Sequence, residues 1–71
     1  MSPAANDDLT GRQIIITAIA EVRRISTEDI TSELVVGDDA DDIGTLLTAR
    51  LGKQVKVLPG DTVGMLVQRH G

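Results

Sequence analysis

Residues 35–51 read VVGDDADDIGTLLTARL, an acid-rich turn running straight into an apolar-periodic segment. Ile43, Leu47 and Leu51 recur every four residues, the spacing that lays side chains along one stripe of a helix. Asp38, Asp39, Asp41 and Asp42 stand at the head of that stripe. Asp38 or Asp39 can accept from the free backbone N–H groups of a first helical turn. Asp41 and Asp42 fall inside that turn, where carboxylates meet the positive end of the helix dipole. Gly52 follows Leu51 as a natural stop, with Arg50 in the last turn. A helix is therefore predicted from the acidic turn to Leu51. Taken alone, the acids are a capped, solvated helix start.

Upstream, Ile15, Ile19 and Val22 share a stripe that Ile16 and Ala18 widen, predicting a first helix over residues 10–24 with Thr10 or Asp8 as its cap. The run Ile14-Ile15-Ile16-Thr17 is β-branched and by local propensity favours a strand, so the helix rests on the longer stripe and on Ala18, Ala20 and Glu21. Residues 25–34, ISTEDITSEL, read as an anchored connector: Ser26 or Thr27 ahead of Glu28 and Asp29 caps a single turn, and Ile30 and Leu34 point toward the core.

Downstream, residues 53–58 alternate polar and apolar in an extended pattern too isolated to make a sheet, and Pro59-Gly60 turns the chain. Asp61 or Thr62 then caps a last helix lined by Val63, Leu66 and Val67, with Met65 expected to fill core. Gly44 and Gly64 inside helices are each unfavourable by about 1 kcal/mol relative to Ala, and mark poor optimisation, a close helix contact or a movable second helix. The fold class predicted is all-α: three main helices plus a short turn or helix, in one domain over residues 9–71 behind a disordered lead-in over residues 1–8.

A chain of 71 residues has a marginal core, and without Phe, Trp or Tyr that core is built from Ile, Leu, Val, Met and Ala. The missing rings also remove the platforms on which single strands of nucleic acid stack. No cysteine is present, which excludes disulfides and thiolate metal sites. No apolar run approaches the roughly 20 residues that span a bilayer, and MSPAANDD lacks the basic-then-apolar order of a signal peptide. A soluble, cytoplasmic monomer without membrane or nucleic-acid partners is expected. Charge is divided unequally: residues 1–42 carry ten acids against three arginines, a net of −7, whereas residues 43–71 carry four bases against Asp61, a net of +3. The acidic part suits a basic patch on another protein, unless Arg50 and Lys53 balance it within the fold.

The order of these pieces resembles the acyl carrier and peptidyl carrier protein superfamily over residues 10–70. The similarity lies in ISTEDIT (residues 25–31), the turn Gly37-Asp38-Asp39-Ala40-Asp41, the helix ending at Leu51-Gly52, and DTVGMLVQRH (residues 61–70). The resemblance implies a four-helix bundle that carries an acyl, aminoacyl or polyketide chain on a 4'-phosphopantetheine arm. It also implies docking through surrounding acids, here Asp38, Asp39, Asp41 and Asp42, on basic patches of enzymes of fatty-acid, polyketide or nonribosomal-peptide pathways. The family attaches the arm to a serine in an Asp-Ser-Leu motif at a helix N-terminus, where N–H groups tolerate a phosphodiester. Here that position is Ala40 and the next is Asp41. A methyl group offers no oxygen to esterify, so Ala40 cannot hold the arm. Counting back from Leu51-Gly52 puts Gly37 in the slot, equally incompetent. The segment between Val57 and Thr62 is short, reducing the family's small third helix toward a turn. Asp39 beside Ala40 fits an engineered serine replacement, while Asp41 and the stretch from Ala40 to Gly52, a few residues shorter than the family norm, fit a natural carrier that has lost its arm.

The alternative is a non-carrier helical module that docks on other proteins through apolar helix surface. Other chemistry is set aside. His70 is the sole histidine and has no companion ligand. The aspartates lack the glycine and closing glutamate of a calcium loop. Ser2, Ser26 and Ser32 have no neighbouring base, so no enzymatic activity is expected.

Overall fold

The computed structural model describes residues 10–71; the lead-in expected over residues 1–8, and Asp8 as a cap, lie outside them. The described residues form three α-helices, α1 (Gly11–Arg23), α2 (Ala40–Leu51) and α3 (Val63–His70), with one 3-10 turn, Thr27–Asp29, between α1 and α2. This is the small all-helical bundle that the periodicity predicts. Both α2 and α3 pack on α1, which is the spine of the bundle.

The strand-prone isoleucines of α1 fold as helix because Ile15, Ala18 and Ile19 become fully buried there. Burying an isoleucine contributes about 1.5–3 kcal/mol, against a few tenths lost to β-branching at each position. The stripe is rotated slightly from the expected one: Ala20 joins the core, while Ile16 and Val22 only flank it. Thr10 occupies the cap position without a side-chain hydrogen bond.

At the other end of α1, Arg24 closes the helix in the left-handed conformation, φ 61°, with its N–H and that of Ile25 both donating to the Ala20 carbonyl. Side-chain-bearing residues cost about 1 kcal/mol or more in that region, and glycine does not. Arg24 is exposed and makes no ion pair among the described residues. Arg24→Gly is therefore expected to stabilise the fold by about 0.5–1 kcal/mol, net of the greater freedom of glycine in the unfolded chain. Thermal unfolding should move up by several degrees; an unchanged or lower midpoint would contradict the backbone strain assigned to Arg24.

The connector behaves as expected in its first half. Ser26 accepts from the Glu28 N–H (3.3 Å), Ile30 is buried and Leu34 is half-buried. Its second half is more than a loop. Residues 32–36 run antiparallel to residues 60–64, joined by Gly60 N–H to Val36 C=O (2.8 Å), Val36 N–H to Asp61 C=O (2.7 Å), Val63 N–H to Leu34 C=O (3.0 Å) and Gly64 N–H to Ser32 C=O (3.0 Å). Val35 and Thr62 face one another in an isolated bridge. These bonds satisfy free N–H groups at the head of α3. They also explain Gly64, whose absent Cβ would sit 3.3 Å from the Ser32 carbonyl oxygen. Gly44 has no such reason, since a methyl there would make ordinary contacts at 3.6–3.7 Å with Val55 and Val57.

Thr62, of the two caps offered, takes the role, its hydroxyl accepting from Met65 N–H (3.2 Å). Asp61 is instead buried, 6% exposed, accepting from Leu58 N–H (3.1 Å) and Arg69 (3.4 Å) to brace the Pro59-Gly60 turn. No helix forms between Val57 and Thr62. Met65, expected in the core, lies at the surface because it falls off the stripe of Val63 and Leu66. No helix among the described residues is long and apolar enough to cross a membrane.

Candidate functional site

The head of α2 is fixed from the end of α1. Arg23 donates from Nε to Asp39 Oδ2 (2.8 Å) and from its terminal nitrogen to the Val35 carbonyl (2.6 Å). Asp39 Oδ1 accepts from the Gly37 N–H (3.1 Å), folding the turn back on itself. Asp39 thus precedes α2 without capping it: its backbone, φ −86° and ψ 9°, is outside the extended region a capping residue adopts, and its carboxylate faces upstream. The Arg23 hydrogen bond holds its carboxyl below the usual carboxylate range; partial burial opposes the shift, and the Gly37 N–H adds to it.

Consequently the four predicted docking acids divide. Asp38, Asp41 and Asp42 are exposed and have no ion-pair partner among the described residues. Asp39 is consumed in holding the turn. Arg50 does balance part of the acidic half within the fold, by pairing with Glu21 on α1 (2.7 Å) and not with the acids of the turn, while Lys53 makes no ion pair among the described residues.

Ala40 opens α2 and is 3% exposed. It belongs to the core with Ile43 and Leu47 and, with Asp41, also lines an open groove of about 550 Å³. The groove runs between one face of α2, carrying Gly44, Thr45 and Thr48, and the segment from Gln54 to Pro59. Nothing in the one-dimensional pattern signalled this groove. Ala40 cannot hold a phosphopantetheine arm, having no nucleophilic atom and almost no accessible surface; of the threonines that line the groove, Thr48 has its hydroxyl engaged with both Val55 N–H (3.0 Å) and Val55 C=O (3.2 Å), whereas Thr45 is exposed. Nor do the described residues contain a group of three or more His, Cys, Asp or Glu side chains placed to hold a metal ion.

Sequence reasoning missed the Arg23 clamp altogether. Arg23 and Asp39 are 16 residues apart on different elements, and no local spacing relates them. No family model, curated protein or solved structure matches the chain.

Proposed function

We propose that this chain is a carrier-like domain that works by docking: it presents Asp38, Asp41 and Asp42 to basic patches on enzymes of an acyl-chain, polyketide or nonribosomal-peptide pathway, without itself bearing the phosphopantetheine arm. The observation that carries the reading is that these three carboxylates crown the amino end of α2, exposed and unpaired among the described residues, on a turn that Arg23 holds rigid. Fixed like charges focus potential toward solvent and speed encounter with a basic partner. Further support is the ordered resemblance to carrier proteins over residues 10–70, with Ala40 at the arm position. The domain then acts by binding rather than by catalysis.

The test is competition. A phosphopantetheinyl transferase loads a conventional acyl carrier protein from coenzyme A, and this chain is added in excess. Loading is expected to slow, the slowing to weaken at high salt, and the Asp38→Lys/Asp42→Lys double variant to compete at least tenfold less well. If the unmodified chain does not compete, or the double variant competes equally, docking through the acidic turn is wrong and the apolar-face module is the better reading. In the same assay Ala40→Ser is expected to stay unloaded, because the position is 3% exposed. A mass gain of one phosphopantetheine would instead mark a latent arm site beneath the alanine.

A further inference from the structure

Residues 54–58, which belong to no helix or sheet, run beside α2. Their conformation follows from Thr48, whose single hydroxyl oxygen bonds both the N–H and the C=O of Val55. Those two groups therefore point to the same side, as they do only in extended backbone, whereas in a helix they point in opposite directions along the axis. The burial pattern agrees: Val55 and Val57 are buried while Gln54, Lys56 and Leu58 are exposed. In an extended chain the main-chain groups of successive residues face opposite edges. Val55 thus faces α2, and Gln54 and Lys56 turn theirs away from it. Neither the N–H nor the C=O of Gln54 or Lys56 makes a hydrogen bond among the described residues. At Leu58 the free edge ends, because Asp61 takes both its N–H and its C=O.

We propose that this edge, Gln54 to Lys56, is a docking strand that pairs with a short extended acidic segment of a partner protein. Two unpaired donors and two unpaired acceptors at alternate positions are the template on which an added strand builds. Charge selects the occupant. Lys53 and Lys56 are exposed, lack an ion-pair partner among the described residues, and lie on and beside the free edge. A second copy of this chain pairing antiparallel through the same edge would bring Lys56 opposite or diagonal to its own counterpart, which is unfavourable. An acidic strand meets the same lysine favourably. The edge is opposite in sign to the acidic turn, whose Asp41 lines the groove on the α2 side of the same segment, so the chain has two recognition surfaces: one for basic partners and one for acidic extended peptide.

An acetylated, amidated hexapeptide alternating glutamate and valine is titrated into the ¹⁵N-labelled chain and followed by amide chemical shifts. The amides of Gln54 and Lys56 are expected to move most, Lys56→Glu to weaken binding at least fivefold, and a lysine–valine peptide not to bind. The same glutamate–valine peptide N-methylated at every residue, so that neither of its edges can donate, is expected to lose binding while leaving the protein untouched. Equal binding of the N-methylated peptide, or shifts confined to other residues, would overturn strand pairing. Shifts of these two amides on raising the protein concentration without peptide would overturn the choice of partner and make it a second copy.

Discussion

Leu47→Ala is expected to remove about 2–5 kcal/mol of stability, about half of what a domain of this size has. Leu47 is 0% exposed and sits where α2 meets α1, in one cluster with Ile15, Ile19, Ile43 and Leu66. Truncating it loses the burial of the removed carbons and leaves a cavity that neighbours fill only in part. Here they fill it poorly: the core has no aromatic ring to slide across the gap, and Ile15, Ile19 and Ile43 are β-branched and stiff. A domain of this size has roughly 4–10 kcal/mol in total. Urea titration monitored by helical circular dichroism should show the midpoint fall by half or more. Leu51→Ala, at a half-buried position on the same stripe, should cost clearly less. Equal losses at the two positions would mean that α2 does not present Leu47 to a packed interior.

That prediction rests on what was readable in advance. The stripe of Ile43 and Leu47, the left-handed stop at Gly52 and the isoleucine face of α1 follow from periodicity and end chemistry, which act within a few residues. The errors share a different cause. Residues 25–34 read as an anchored connector leading through Val35 and Val36 to the acidic turn, yet residues 32–36 pair with residues 60–64 through bonds spanning more than twenty positions. Asp61 has the side chain of a cap and instead braces a turn, a choice settled by Arg69 and by the backbone of Leu58. Asp39 has the position of a cap and is drawn away by Arg23. Each is a polar group with two competing partners, one local and one distant, and composition does not rank them. The same reasoning divides the candidate site: which acids cluster was visible in the chain, whereas which of them are free to dock depended on where Arg23 reaches.

Acid should test that division. Asp39 has its carboxyl pKa lowered in the fold, first by the Arg23 hydrogen bond, with partial burial acting against it and the Gly37 N–H acting with it. A carboxylate whose folded pKa lies below its unfolded value, about 3.9, contributes stability that is fully present above the unfolded value. The contribution is lost as pH falls through the folded one, because between the two values the unfolded chain binds more protons than the folded state. With about a quarter of each side chain exposed, the pair and its hydrogen bonds are worth about 1–2 kcal/mol near neutrality, less than a buried pair and more than a surface one. Asp39→Asn should therefore be destabilising at pH 7, and the gap between it and the parent should shrink steadily from about pH 5 downward. Glu21 supplies the control. Its pKa is also lowered, first by its hydrogen bond to Arg50, but it is solvent-exposed, so Glu21→Gln should track the parent at every pH. Arg23→Ala should reproduce the acid response of Asp39→Asn and, by also releasing the Val35 carbonyl, loosen the turn that carries Asp38, Asp41 and Asp42. A gap between parent and Asp39→Asn that stays constant from pH 7 to pH 3 would show the carboxylate is not held by Arg23. Asp39 would then return to the solvent-facing acids, and the docking surface would be one charge larger than proposed.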